Sequence, residues 1–349
     1  MIEQLTLFEY TDEYKENQRI ADIKLKEIAE KIKGCGVDVL SLFNGISCGR
    51  VALERAGIKV NRYVSYEIDK NANKVAQSNY PNDEYYGDVT TADFNQYKGF
   101  DLVIGGSPCT YWSIAKQGRE TTPNGEGGRL FMHFARAVKE TECKFFLYEN
   151  NHSIADEIKA FISDSLGVDF IMINSALVSA QNRERCYWTN IPDVKQPRDK
   201  GLILADVLED NAVPWNKKSY CLTANYSGAY FPHDYLRKQR QLVAKPINLG
   251  HISNTNSQAN RVYSVRGKSV CLQSEAGGGG AKTGLYKIDL PDGDYIIRKL
   301  TPIECERLQT LPDNYTAAVA TTNRYKGIGN GWTVDVIAHI FQPLKRYCE

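Results

Sequence analysis

Three short segments of this 349-residue chain carry side chains able to make and break bonds. Gly105–Ser113 reads GGSPCTYWS and sets Cys109 directly after a proline. It follows the apolar run Asp101–Ile104, so the cysteine falls at the carboxyl end of a buried strand, where α/β sheets place their ligands. Backbone N–H groups at such a position favour the thiolate, the nucleophilic form of the side chain. The second segment, Glu149-Asn150-Asn151, ends the apolar run Phe145–Tyr148. The third, Gln181–Arg185, precedes another, Cys186–Thr189. Together they supply a nucleophile, a carboxyl and two guanidinium groups, Arg183 and Arg185. That set suits covalent catalysis assisted by a general acid.

Elements must exist to bring these segments together. Strand-like runs fall at Val37–Leu42, Arg62–Tyr66, Asp101–Ile104, Lys144–Tyr148, Phe170–Asn174 and Cys186–Thr189. Helical patterns lie between them at Val51–Ala56, Lys70–Ser78, Leu130–Lys139 and Ile154–Ser165. The alternation predicts an α/β fold with a doubly wound, mostly parallel sheet. Ahead of it, Ile20, Ile23, Ile28 and Ile32 recur at helical spacing among Lys and Glu, which predicts a capping helix within 1–36. After Pro192 the texture turns to Gly, Asn, Ser and Tyr, including Gly277–Gly280, and the alternation stops. It resumes at Thr301-Pro302-Ile303-Glu304, an N-cap, an N1 proline and an N3 glutamate in sequence. The expected division is therefore 1–36, a first catalytic part at 37–192, a loop-rich insertion at 193–297, and a catalytic C-terminal part at 298–349.

Composition narrows the classes. A hydrophobic fraction of 42% with 24% charged residues belongs to an ordinary globular protein. No apolar run approaches the roughly 20 residues needed to span a bilayer. The acidic start, MIEQLTLFEYTDEYKEN, lacks a signal peptide's basic end and apolar centre, so a cytoplasmic location is expected. Nine cysteines stand singly with no CxxC pair, which argues for reduced thiols and against a disulfide framework or a metal site. Net charge is only +1, but between His251 and Lys287 five basic residues (Arg261, Arg266, Lys268, Lys282, Lys287) face one acidic residue, Glu275. Such a patch suits a phosphate backbone and equally a solvated face.

The first strand runs into Leu42–Gly49, LFNGISCG, where Gly45 and Gly49 let backbone pass close to a ligand at a helix N-terminus. This is not the GxGxxG of dinucleotide sites. Glu67 ends the second strand, where a carboxylate can accept both hydroxyls of a ribose, and Asp88 follows Gly87.

In this order, the Phe-x-Gly loop, the Pro-Cys loop, the Glu-Asn pair and the Gln-x-Arg-x-Arg run resemble the C5-cytosine DNA methyltransferase family. Arg298–Gln309 and Gly327-Ile328-Gly329-Asn330-Gly331-Trp332 extend the resemblance, which covers Val37–Pro192 and Arg298–Ile340. It implies S-adenosylmethionine as methyl donor, held by Phe43, Asn44, Gly45, Ile46, Ser47, Glu67, Ile68, Asp88, Val89, Pro108, Leu130, Asn330 and Trp332. In that family's chemistry the Cys109 thiolate would add to C6 of cytosine, Glu149 would hold a proton at N3, and Arg185 would donate to O2. Duplex DNA is the implied partner, with the target base flipped out of the stack. Ser113 and Arg129 would meet phosphates, Arg183 would serve as a phosphate or structural contact, and the glycine-rich stretch Thr110–Gly128 would form a mobile lid. Two departures stand out: Asn151 replaces the family's usual Val, and Trp332 lies where Val is commoner.

The insertion is expected to read sequence, with Arg261 at a base edge and Lys268 and Lys282 at phosphates. In a binding series, Arg261→Ala should then relax sequence preference by about 1–3 kcal/mol. Lys282→Ala should weaken all sequences alike and flatten the salt dependence by about one unit. A compact chain of this kind suits a monomer of prokaryotic or phage origin, with a cognate restriction endonuclease as a possible companion. Two rival readings are the same chemistry on tRNA and a non-catalytic DNA-binding homologue. The size of the insertion favours DNA over tRNA, and the intact Cys109, Glu149 and Arg185 argue against a non-catalytic chain.

Overall fold

The computed structural model describes residues 36–113, 117–209 and 301–347, together with four strand backbones between 248 and 298. The expected N-terminal helix, Lys268, Lys282 and the side chain of Arg261 lie outside the described residues.

Seven strands form one sheet in the order β3-β2-β1-β4-β5-β7-β6. They are β1 (Val37–Leu42), β2 (Val60–Tyr66), β3 (Glu84–Tyr86), β4 (Leu102–Gly105), β5 (Phe145–Asn151), β6 (Phe170–Asn174) and β7 (Glu184–Thr189). Pairing is parallel among β1 to β5, while β7 runs antiparallel to both β5 and β6. Helices α1 (Cys48–Arg55), α2 (Lys70–Asn79), α3 (Glu126–Thr141) and α4 (Asp156–Leu166) alternate with the strands. Three more, α5 (Pro302–Leu308), α6 (Thr321–Asn330) and α7 (Val334–Phe341), come from the C-terminal part. The mostly parallel α/β sheet expected from the alternation is the one that forms.

Strand alternation sorts the core onto two faces. Val37 and Val39 pack with Leu53, Ile337, Ile340 and Phe341 on one side. Leu40 and Leu42 pack with Phe131, Phe134, Ile158 and Ile162 on the other. Both faces are covered, as a parallel sheet requires.

Two elements differ from the sequence expectation. β3 is three residues of Glu-Tyr-Tyr, too short and too polar to announce itself. Helix α3 begins at Glu126, four residues ahead of the apolar pattern, although Gly127 and Gly128 disfavour helix. The reason is a cap from a distance: the Glu120 carboxylate accepts the N–H groups of Glu126 and Gly127, each at 3.1 Å. At the other end of the chain, the Thr301–Glu304 capping box forms as its spacing requires.

Residues 193–209, placed in the insertion by texture, pack on the α/β domain. Leu204 and Val207 are buried, and Arg307 of α5 donates to the carbonyls of Val207 and Leu208 at 3.2 and 3.4 Å. Beyond them, β8 (Asn248–His251), β9 (Arg261–Ser264), β10 (Leu285–Asp289) and β11 (Tyr295–Arg298) form a separate sheet in the order β11-β10-β9-β8. Among the described residues no helix is long and apolar enough to cross a membrane.

Candidate active site

Register places the chemistry on one edge. Leu42 pairs with both Tyr66 and Gly105, and Gly105 pairs with Tyr148. The residues that follow these positions therefore emerge side by side: Phe43–Ser47 after β1, Glu67 after β2, Gly106–Cys109 after β4, and Glu149 at the end of β5. This is the carboxyl edge of the parallel strands, where such sheets bind ligands.

The loop after β1 is held in an uncommon backbone. Phe43, Gly45 and Ser47 take left-handed φ values of 55°, 55° and 63°, a conformation that is costly for the two non-glycine residues. Asn44 locks it: its Oδ1 accepts from Ser41 Oγ at 2.9 Å and Tyr63 Oη at 3.1 Å, and its Nδ2 donates to Ser47 Oγ at 2.7 Å. The side chains of Asn44 and Ser47, expected at a ligand, thus face the scaffold. Ile46 and Val89 are buried as well. Gly45 has nothing within 4 Å of the place a side chain would occupy, and its N–H donates to Glu67 Oε2 at 2.8 Å. Glu67 Oε1 accepts from the N–H of Asp69 at 2.8 Å. Burial raises the Glu67 carboxyl above its ordinary range against these two donors. Beside it Ile68 is 74% exposed, an apolar surface facing outward. Asp88 caps a short turn by accepting from the N–H of Thr90 at 2.8 Å, a bond that holds its carboxyl below the usual range. A half-buried carboxylate, an exposed apolar residue and open space at Gly45 fit the ribose, base and chain of a nucleoside-type ligand.

Cys109 begins a short 3-10 turn, Cys109–Tyr111, and is half-buried. Burial pushes the thiols of Cys48 and Cys186 up to about 12 and that of Cys143 to about 11, which removes all three as nucleophiles. Asn150 holds the loop that carries Cys109. Its Nδ2 donates to Ser107 O at 3.3 Å and Tyr148 Oη at 3.2 Å, while Tyr148 Oη and Ser107 Oγ are 2.6 Å apart.

Glu149 is gripped from two sides. Arg185 Nε lies 3.0 Å from its Oε1, and the indole Nε1 of Trp332 donates to its Oε2 at 2.9 Å. Strand pairing of Asn151 with Arg185 brings the guanidinium there. Gly106 is required by this packing: a Cβ on it would lie 2.9 Å from the carbonyl oxygen of Glu149 and 3.0 Å from Oε2. Gly106→Ala should therefore displace the carboxyl and lower kcat about tenfold, a cost of about 1.4 kcal/mol, with the fold retained by circular dichroism. Wild-type turnover in that variant would contradict the importance of this geometry.

For Arg183 the sequence left two roles open. The residue is 6% exposed, and its Nη2 donates to the carbonyls of Gly329 and Gly331 at 3.2 and 3.1 Å. Of the two roles left open for it, the structural one is realised; a buried guanidinium bonded to backbone does not present itself to a phosphate. Gln309, unflagged by sequence, joins it by donating to Ile328 O at 2.9 Å and Gly331 O at 3.1 Å. The signal available was its place in the Arg-Leu-Gln run.

The lid expected at Thr110–Gly128 is anchored over much of its length, residues 114–116 lying outside the described ones. Trp112 is fully buried, Arg119 donates to Trp112 O and Ser153 O at 3.3 and 2.8 Å, and Glu120 caps α3. Arg129 is exposed and pairs with Glu126 at 2.6 and 2.7 Å. Ser113 is half-buried, with its N–H bonded to Cys109 O at 2.8 Å. Leu130 is half-buried near the start of α3, while Pro108 and Asn330 are exposed. Among the described residues no group of three or more His, Cys, Asp or Glu is placed to hold a metal ion.

The sequence profile of the C-5 cytosine-specific DNA methylase family matches residues 37–346. The chain is 27% identical over 328 residues to the type II methyltransferase M.HhaI of Haemophilus parahaemolyticus, covering 87% of this chain and 93% of that protein. It is 29% identical over 337 residues to the type II methyltransferase M.HpaII of Haemophilus parainfluenzae, covering 85% and 86%. Among solved structures, the Entamoeba histolytica methyltransferase EhMeth superposes with a TM-score of 0.64 at 16% identity, over 88% of this chain and 98% of that one. At that identity the likeness concerns the fold.

Proposed function

The chain belongs to the C-5 cytosine-specific DNA methylase family, and from that premise we propose that it methylates C5 of a cytosine flipped out of duplex DNA. The proposed methyl donor is S-adenosylmethionine, which supplies an electrophilic methyl on a sulfonium. Glu67 would accept the ribose hydroxyls, Asp88 the adenine amino group, and Ile68, Phe43 and Leu130 would border the base. The observation that carries the reading is the convergence of the accessible Cys109 loop and the doubly held Glu149 on one sheet edge.

C5 of cytosine is a poor nucleophile until the ring is activated. The Cys109 thiolate forms a bond to C6, and the electron pair displaced from the C5=C6 bond is taken up as Glu149 gives its proton to N3. Arg185 donates to O2 and offsets the charge building there. C5, now enamine-like, would take the methyl as its bond to the sulfonium sulfur breaks, the electron pair staying on sulfur and the neutral thioether S-adenosylhomocysteine leaving. A base, water in the simplest case, removes the C5 proton; the electrons of that C–H bond restore C5=C6 and expel the Cys109 thiolate, and the N3 proton returns to Glu149. Covalent catalysis of this kind replaces one difficult step with two easier ones. Turning the base out of the stack costs a few kcal/mol.

Bisulfite sequencing of DNA from cells expressing the protein tests this directly. Protected cytosines in one recurring sequence context are expected. Methylation of tRNA with none on duplex DNA would move the substrate to RNA, and protection of neither would leave a binding protein.

A further inference from the structure

Trp332 touches more of the site than a cofactor wall needs to. Its indole N–H reaches Glu149 Oε2 at 2.9 Å while Arg185 takes Oε1 at 3.0 Å, so the two donors hold opposite oxygens. The ring also lies within 3.4 Å of where side chains on Gly49 and Gly106 would stand, at the start of α1 and the end of β4. Its own backbone is fixed on both sides. Gly331 O accepts from buried Arg183 and Gln309, and the hydroxyl of buried Thr333 donates to Gln309 Oε1 at 2.7 Å.

The two donors to Glu149 are unequal once substrate arrives. Arg185 also donates its Nη1 to the carbonyl of Glu184 at 2.8 Å, and on the cytosine-methylating reading it donates to the cytosine O2 as well, so its guanidinium is divided among several acceptors. Trp332, clamped at both neighbours, has no such alternative. We infer that Trp332 is the positioning residue for Glu149, keeping its carboxyl aimed at N3 while the Arg185 guanidinium is shared with other acceptors. The inference rests on the cytosine-methylating reading above. Being uncharged, the indole fixes the plane of the carboxyl without adding a second cation beside a group that has to release a proton.

The test pairs kinetics with a spectroscopic readout. Trp332→Phe keeps an aromatic ring and removes the N–H. It should lower kcat by about 10- to 100-fold, the range for losing a hydrogen bond to a charged group, while S-adenosylhomocysteine Kd rises by less than kcat falls, because the remaining ring still walls the cofactor pocket. In a double-mutant cycle, Glu149→Gln with Trp332→Phe should be no slower than Glu149→Gln alone, because both act through one carboxyl. The indole N–H proton resonance lost in Trp332→Phe should shift in Glu149→Gln. Additive losses in the cycle, a Kd that worsens as much as kcat, or an unmoved resonance would overturn the inference. Should Trp332→Phe unfold, the resonance change in Glu149→Gln still decides it. If wild-type protein methylates no cytosine, the functional reading fails by itself, and the resonance alone reports whether the indole holds the carboxyl.

Discussion

Replacing Cys109 by serine is expected to abolish methyl transfer while leaving duplex binding intact. A serine hydroxyl yields almost no alkoxide near neutral pH, so the attack on C6 loses its nucleophile. Among the described residues, Cys48, Cys186 and Cys305 are buried and Cys143 is half-buried, and burial pushes the thiols of Cys48, Cys143 and Cys186 up to between about 11 and about 12. Loss of a nucleophile in a constellation acting as a unit costs at least about 10⁴-fold. The change is also small enough to keep the loop, because Asn150 holds it through the Ser107 carbonyl rather than through the cysteine. Turnover of labelled methyl into duplex DNA measures the loss, and gel-shift affinity measures the binding. Normal turnover by the serine variant would remove covalent catalysis from the account.

Glu149→Gln should keep both ligands and lose most turnover. The amide oxygen still accepts from one donor, so the pocket retains its shape, but the side chain has no proton to deliver to N3. General-acid assistance of this kind contributes about 10²–10⁴ in rate. The expected loss is about 100-fold, or about 2.7 kcal/mol in the barrier, read in single-turnover kinetics. A change under threefold would withdraw the role given to this carboxyl. The same substitution leaves Arg185 beside an uncharged partner, so a modest fall in thermal stability should accompany it.

How far the sequence could be read depended on where each residue's partners lie. Cys109 and Glu149 were legible because they follow or close apolar runs whose carboxyl ends meet in a parallel sheet, whereas Arg185 precedes its run and reaches the same edge because β7 is antiparallel, pairing Arg185 with Asn151. The Thr301–Glu304 cap was legible because all its bonds close within four residues. Arg183 was read only as an open choice, since its acceptors lie 146 and 148 positions away. The bond from Trp332 to Glu149 spans 183 positions and has no local trace at all. For Asn44 and Ser47 the sequence placed the loop but not the side chains, which bond one another to hold a left-handed backbone. The early start of α3 was hidden for a similar reason, because its cap comes from Glu120, outside the helix. Local pattern thus located the strand ends, and long-range pairing decided what stood behind them.

The most direct test of the central claim is covalent trapping on duplex DNA carrying 5-fluorocytosine at the target position, with S-adenosylmethionine present. Fluorine at C5 leaves no proton to remove, so Cys109 cannot be expelled after methyl transfer. The account predicts a denaturation-stable complex whose mass equals protein plus DNA plus one methyl group, with the crosslink mapped to Cys109 and absent from Cys109→Ser. Methylated DNA without any such adduct, or an adduct at another residue, would contradict it.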